Sequence, residues 1–179
     1  MPLDAIDRDS VLAVLREIGS LATAPGSVLV CGGTSAILEG WRETTIDLDL
    51  SFAAEPGAFF EALAQVKKRF DISIDLLSPS AFVPLLPGAE ERHELIGTYG
   101  LVTFAHFDFY TQALSKIQRG HTRDLADVQA MLRANKIVPA IFQDLFNAIE
   151  PELIRYPAID PESLRIRLLQ LLKDTHASD

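Results

Sequence analysis

The chain has 179 residues, of which 48% are hydrophobic and 23% charged, proportions that exclude an intrinsically disordered protein. Its formal net charge of −9 argues against a general nucleic-acid-binding surface, which needs many Lys and Arg side chains. The charge is uneven, because residues 1–115 hold 7 Lys or Arg and 16 Asp or Glu, whereas residues 116–179 hold 9 of each. An acidic first part fits a metal site, and a local RNA-binding patch would belong to the second part.

The remaining composition indicates the compartment. Cys31 is the single cysteine, so an internal disulfide is ruled out, and its apolar surroundings predict a small buried side chain. The N-terminal segment lacks a basic start followed by an apolar stretch, so we expect no signal peptide. No apolar run approaches the length of a membrane span. These features predict a cytoplasmic protein with no membrane contact.

The first half of the chain predicts alternating helices and strands. Helical spacing of apolar residues predicts a helix over about 10–22, and a short apolar run predicts a buried strand over 28–31. A second helix is expected to begin at 35–39 and to end near Gly40. The next strand, 46–52, alternates so that Asp47, Asp49 and Ser51 share one face, and Ile46, Leu48, Leu50 and Phe52 share the other.

The rest of the chain predicts a sheet that is completed before a helical region begins. We expect a helix over 58–70, a strand over 72–77, an irregular segment over 78–93, and a strand pair over 94–98 and 101–107. From about 109 the pattern is helical, with breaks at Gly120, Pro139, Pro151 and 157–161. The prediction is an α/β (α+β) fold with a small mixed sheet flanked by helices over 1–108, followed by a C-terminal helical region over 109–179.

Two short motifs indicate phosphate and metal chemistry. The pair Gly32–Gly33 lets the backbone approach a bulky anion, because no Cβ stands in the way. Asp47 and Asp49 point to one face of a strand, and Asp75 lies on the next predicted strand. If these two strands are neighbours, three carboxylates converge, which is unfavourable unless a cation is bound. Two Mg²⁺ ions about 3.5–4 Å apart would satisfy such a site.

This combination resembles the nucleotidyltransferase superfamily of the polymerase-β type, whose signature is a Gly-Gly or Gly-Ser turn, a short gap and Asp-x-Asp. The string from Gly32 to Asp49, with its Arg-Glu-Thr-Thr-Ile-Asp segment over 42–47, is similar to the AbiEii- and MenT-like branch of bacterial nucleotidyltransferase toxins and their uncharacterised relatives. That branch also has a downstream lysine on a helix and an Arg-Asp-x-x-Asp motif, which Lys116 and residues 123–127 match. The resemblance covers roughly residues 28–132.

The resemblance implies a nucleotidyltransferase fold and the transfer of a nucleoside monophosphate from an NTP such as ATP to a hydroxyl of tRNA or protein. It also implies two Mg²⁺ ions, with Mn²⁺ as a substitute, and a toxin paired with a cognate antitoxin. Asp47 and Asp49 would hold both metals, and Asp75 would bind the catalytic metal and help to deprotonate the acceptor. The residues expected to contact the phosphates are Gly32, Gly33, Thr34, Ser35 and Lys116, and those expected to support them are Arg42, Thr45, Arg123, Asp124 and Asp127.

Each motif also has a purely structural interpretation. The glycine pair could form any tight turn, the three aspartates could be solvent-facing strand residues, and Lys116 could be a solvated helix residue. Asp124 and Asp127, three residues apart, could complement the N-terminus of a helix. His106 and His121 show no metal-ligand spacing and are left out of the site. Two other functions stay open: a non-catalytic nucleotide-binding or antitoxin-like relative, and a nucleotidyltransferase that modifies a small molecule such as an antibiotic.

Overall fold

A computed structural model describes residues 5–52 and 59–176, with side chains up to Lys173. It confirms an α/β fold with a five-stranded mixed sheet and flanking helices. The chain divides into two compact units. Unit 1 comprises the residues up to 78 together with 93–107, and unit 2 comprises 79–92 together with the residues from 108 onward.

Unit 1 contains the whole sheet. Its strands lie in the order β3-β2-β1-β5-β4, with β1 antiparallel to β2 and parallel to β5. The strand pair predicted over 94–107 is present as an antiparallel hairpin of β4 and β5, and β2 pairs in parallel with β3. The elements, in chain order, are α1 (Arg8–Leu21), β1 (Gly26–Val30), α2 (Gly32–Leu38), β2 (Asp47–Phe52), α3 (Phe60–Phe70), β3 (Ser73–Leu76), β4 (Glu94–Tyr99) and β5 (Val102–His106).

The core of unit 1 is formed by one face of the sheet and the apolar faces of α1 and α3. Leu48 and Leu50 of β2 are fully buried there, as the alternation of that strand predicts. Ile46 does not join them and is 58% exposed, because β2 begins one residue later, at Asp47. The other main contributors are Val11, Val14, Leu15, Ile18, Val28, Val30, Leu63, Val66, Val102 and Phe104.

Unit 2 is helical, with α4 (Phe109–Arg119), α5 (Thr122–Arg133), α6 (Pro139–Ile149) and α7 (Pro161–His176). Three 3₁₀ segments, Pro79–Ala81, Ala89–Arg92 and Glu150–Arg155, complete it. The predicted breaks have clear causes: Gly120 ends α4 in the left-handed conformation, and Pro139 and Pro161 are first residues of helices. Within the two described ranges, every helix is too short or too polar to cross a lipid bilayer.

The first turn of α4 is held by Asp108, which is completely buried. Its carboxylate accepts the backbone N–H of Tyr110 and of Thr111, as an N-cap residue does. Arg92 donates to both carboxylate oxygens, at 2.8 and 3.0 Å. The hydrogen bond to Asp108 raises the pKa of Arg92 above its ordinary value. This contact explains why residues 79–92 belong to unit 2 although they precede two strands of unit 1.

The contact between α1 and the turn of the β4–β5 hairpin makes a testable prediction. A Cβ on Gly19 would stand 2.2 Å from the backbone oxygen of Tyr99, so Gly19→Ala forces the two elements apart. Alanine normally stabilises a helix interior relative to glycine, but here we expect a net loss of about 1–3 kcal/mol in the free energy of unfolding. Urea denaturation measures it, with Ser20→Ala on the exposed face of α1 as the control. An unchanged or raised midpoint for Gly19→Ala would contradict the close contact.

Candidate functional site

The glycine turn lies directly against the carboxylate of Asp49. α2 begins at Gly32, immediately after β1 and Cys31, and Gly32 has a φ of +59°. A Cβ on Gly32 would stand 2.3 Å from Asp49 Oδ2, so only glycine fits both the conformation and the space. The backbone N–H of Gly33 donates to the same oxygen at 2.8 Å. The two predicted motifs are therefore in direct contact.

Thr34 connects the turn to the backbone of β2. Its Oγ1 accepts the N–H of Asp49 at 2.8 Å and donates to the carbonyl of Asp47 at 3.2 Å. The side chain is completely buried. Its hydroxyl thus bridges the backbones of the two aspartates and holds them at a fixed distance from the glycines.

The three predicted carboxylates share one face of the sheet. In the β2–β3 register, Asp49 lies opposite Asp75, and Asp47 lies opposite Ser73. Residues paired on neighbouring strands point to the same face, with the strands about 4.8 Å apart. Asp47 and Asp49 are half-buried, whereas Asp75 is exposed and accepts a long hydrogen bond, 3.5 Å, from Ser73 Oγ.

The fit of a metal ion can be judged from these side chains. Carboxylate oxygens are the ligands that Mg²⁺ and Mn²⁺ prefer, so the donor chemistry is suitable. However, among the described residues no three His, Cys, Asp or Glu side chains are arranged to hold a metal ion. One reason is that Asp49 directs Oδ2 at the N–H of Gly33. A metal site here requires the carboxylates to reorient on a backbone that already places them together.

The loop before β2 brings Arg42 and Thr45 to the same turn. The point where a Cβ of Gly33 would stand is 2.9 Å from Thr45 Oγ1, 3.2 Å from Arg42 Nη1 and 3.6 Å from Asp49 Oδ2. Thr45 is fixed there by a two-way backbone bridge with Ile6, at 2.7 and 3.0 Å. A guanidinium group therefore lies beside the glycine pair, within the acidic unit.

Ser35 lies deeper in unit 1 than a phosphate-contacting residue would be expected to lie. It is completely buried, its backbone N–H donates to the carbonyl of Cys31, and its hydroxyl shares a 2.7 Å hydrogen bond with Nδ1 of His106. Nε2 of His106 is 3.1 Å from Glu39 Oε1. The sequence pattern gave no reason to include His106 in the site. The feature that indicates its place near the turn is its position at the end of β5, paired with Val30 of β1.

Lys116 belongs to unit 2 and is a buried ion-pair residue. It is 2% exposed, and its Nζ is 2.6 Å from Asp127 Oδ2 and 3.6 Å from Asp124 Oδ1. Arg119 donates to Asp124 at 2.9 Å. The alternative that Lys116 is a solvated helix residue is wrong. Asp127 therefore pairs with Lys116, and Asp124 contacts both Lys116 and Arg119, whereas Arg123 is exposed on α5.

Comparison of the chain with protein-family models, with curated proteins and with solved structures found no match. The chemistry must therefore be inferred from the side chains themselves. In unit 1, a turn that can approach an anion closely lies beside one cation and three carboxylates that share a sheet face.

The bridge made by Thr34 can be tested by substitution. Thr34→Val keeps the shape of the side chain but leaves the Asp49 N–H and the Asp47 carbonyl without their hydroxyl partner. We expect the free energy of unfolding to fall by about 1–3 kcal/mol, as measured by urea denaturation. Thr122→Val, at an exposed position of α5, is the control and should change stability by less than about 0.5 kcal/mol. Equal midpoints for the two variants would refute the bridging role.

The buried cation gives a second prediction. Lys116→Met leaves Asp127, which is only 3% exposed, without its closest cation. We expect a loss of about 3–5 kcal/mol in the free energy of unfolding, because removal of one partner of a buried ion pair is strongly unfavourable. The control is Lys173→Met, at an exposed position of α7, which should be near neutral. If Lys116→Met unfolds at the wild-type urea concentration, Lys116 is not required for the structure of unit 2.

Proposed function

We propose that this protein is a metal-dependent nucleotidyltransferase, which moves a nucleoside monophosphate from an NTP to a hydroxyl group of an acceptor and releases pyrophosphate. The observation that carries the proposal is the contact of the glycine turn with Asp49, whose partner on the neighbouring strand is Asp75. Phosphate binding and metal binding require opposite charges at nearly the same place. A turn without Cβ atoms beside three carboxylates meets that requirement when cations are bound.

The phosphates would lie against the backbone of Gly32 and Gly33, which Asp49 Oδ2 contacts in this structure and would have to vacate. Arg42 would add positive charge there, since its Nη1 lies beside Gly33. Thr34 and Ser35 would support this turn from inside, because both hydroxyls are buried in internal hydrogen bonds. Asp47, Asp49 and Asp75 would hold two Mg²⁺ ions, which supply Lewis acidity and neutralise the charge of the triphosphate.

The acceptor would be activated at Asp75, because it is the exposed carboxylate of the three. A carboxylate oxygen of Asp75 would accept the proton of the acceptor hydroxyl while the hydroxyl oxygen forms a bond to the α-phosphorus. The bond between the α-phosphorus and the bridging oxygen to the β-phosphate breaks, and pyrophosphate leaves with that electron pair. Asp49 would turn from the N–H of Gly33 to help hold the ions.

The resemblance to the AbiEii- and MenT-like branch supports tRNA or protein as the acceptor and a role as the toxin of a toxin–antitoxin pair. One observation favours a second function, nucleotide binding without transfer. Among the described residues, no three carboxylates are arranged as a set of metal ligands. Asp75 instead accepts a hydrogen bond from Ser73, two residues before it. A non-catalytic or antitoxin-like relative would need the turn but not the ions.

Transfer of label distinguishes the two functions. Incubation of the protein with labelled NTPs, Mg²⁺ and total tRNA should label an RNA or the protein itself. Asp49→Asn should lower the rate by roughly 10²–10³-fold, the size expected when one electrostatic contact to the reacting group is lost. Asp144→Asn, which alters an exposed carboxylate on α6, is the matched control and should keep the wild-type rate.

The remaining outcomes are also informative. Label on added aminoglycosides alone would assign a small-molecule acceptor, which the acidic charge of residues 1–115 would attract. Saturable Mg-NTP binding without transfer to any acceptor would favour the non-catalytic relative. Equal rates for Asp49→Asn and wild type would remove Asp49 from the reaction and refute the proposal.

A further inference from the structure

We propose that unit 2 has a nucleotide-binding cavity of its own, which takes one base with its phosphate, either as a free nucleotide or as an unpaired nucleotide of RNA. The cavity has a volume of about 340 Å³. Its walls include Phe82, Gln118, Arg119, Arg155 and Tyr156, all of which belong to unit 2. This proposal does not depend on transferase activity in unit 1.

The size and the rings of the cavity suit a flat ligand. Its volume lies near the lower end of the roughly 300–1,000 Å³ of small-ligand sites, which is room for a mononucleotide. Phe82 and Tyr156 are both half-buried and contribute aromatic rings. The guanidinium of Arg119 lies 5.8 Å from the ring centroid of Phe82, so this wall combines an aromatic surface with a planar cation. Bases stack on both kinds of surface.

Gln118 provides a hydrogen-bond acceptor that lacks a donor. Its Nε2 donates to the carbonyl of Ala158 at 3.3 Å, which sets the orientation of the amide. Its Oε1 is buried and, among the residues that the structure describes, has no hydrogen-bond partner. A buried acceptor without a donor is unfavourable, so the Gln118 amide would gain a hydrogen bond by turning this oxygen toward an N–H group of a ligand in the cavity. The exocyclic amino groups of adenine, cytosine and guanine are such donors.

Arg155 is the side chain suited to the phosphate. Arg119 is already paired with Asp124 at 2.9 Å, whereas Arg155 is 77% exposed and is 3.9 Å from its partner Glu152. A guanidinium binds phosphate oxygens in pairs, and an exposed one can turn toward a ligand. Residues 116–179 have no net charge, so an anion is not repelled there as it would be by residues 1–115.

The experiment measures binding to the full chain by calorimetry in EDTA, which removes divalent ions that NTP binding in unit 1 would require. AMP should bind, and purine ribonucleoside 5′-monophosphate, which has hydrogen in place of the amino group and no N–H on its base, should bind about tenfold more weakly because its base cannot donate to Gln118. Arg155→Ala should weaken AMP binding by about tenfold. Arg133→Ala is the matched control, since Arg133 is an exposed arginine of unit 2 that does not line the cavity.

A single-stranded adenine pentanucleotide distinguishes the two sources of the ligand. If RNA is the source, fluorescence anisotropy should show binding at least about tenfold tighter than that of AMP, with the same sensitivity to Arg155→Ala. Equal affinities for the two probes would assign a free nucleotide.

Three results would overturn the proposal. These are no saturable binding of either probe at millimolar concentration, equal affinities for AMP and purine ribonucleoside 5′-monophosphate, and equal affinities in Arg155→Ala and Arg133→Ala. Loss of AMP binding in Asp49→Asn but not in Arg155→Ala would place the nucleotide at the glycine turn, and this result would also overturn the proposal. AMP binding that persists in a protein without transferase activity would support the cavity while refuting the function proposed for unit 1.

Discussion

The candidate site depends on one buried hydroxyl group. Thr34 accepts the N–H of Asp49 and donates to the carbonyl of Asp47, so a single side chain joins the glycine turn to the strand that carries the aspartates. The N–H of Cys31 donates to the carbonyl of Asp49 at 3.1 Å and extends the β1–β2 pairing up to the turn. Because these contacts lie inside unit 1, the turn and the backbone of the two aspartates are positioned before any ligand arrives. Preorganisation of this kind avoids paying the ordering entropy at the moment of binding.

The charged side chains at the glycine turn and those inside unit 2 differ in burial. Around the glycine turn, Asp47 and Asp49 are half-buried and Asp75 is exposed, so they keep contact with solvent and with any ion that it carries. In unit 2, Lys116 and Asp127 are almost completely buried and form an ion pair, with Asp124 beside them. A buried pair can be replaced by apolar residues with little loss, but removal of one partner alone is strongly unfavourable. The accessible carboxylates at the glycine turn suit a bound ion that can exchange with solvent. The buried ion pair of unit 2 suits a permanent structural contact.

Local patterns in the sequence predict much of unit 1. The alternation from Asp47 to Phe52 predicts which face of β2 is buried, and the burial of Leu48 and Leu50 agrees with it. The nearness of the glycine turn and Asp49 also follows from local sequence, because a short helix between two strands leaves few places for the turn. In both cases the deciding interactions are made within about twenty residues of chain.

Other features could not be predicted, because distant segments decide them. Ser35 is buried through a hydrogen bond to His106, which lies on β5 at the far end of unit 1 in sequence. Lys116 looks like a surface lysine until α5 supplies Asp127 from the next helix. The cavity of unit 2 joins segments around residues 82, 118 and 156, and no periodicity connects them. Burial set by long-range packing overrides the polarity of a residue, and a single sequence does not show that packing.

The path of the chain between the two units has a consequence for its biosynthesis. β1 and β5 are paired neighbours, yet residues 26–30 are made long before residues 102–106, and the chain contributes 79–92 to the other unit in between. Unit 1 therefore cannot be completed before residue 106 has been made, and the segment 79–92 waits longer, for the helices after residue 108. Pairings between distant segments form slowly and leave apolar strand edges open meanwhile. A nascent chain of this protein should thus be a better chaperone client than its modest length suggests.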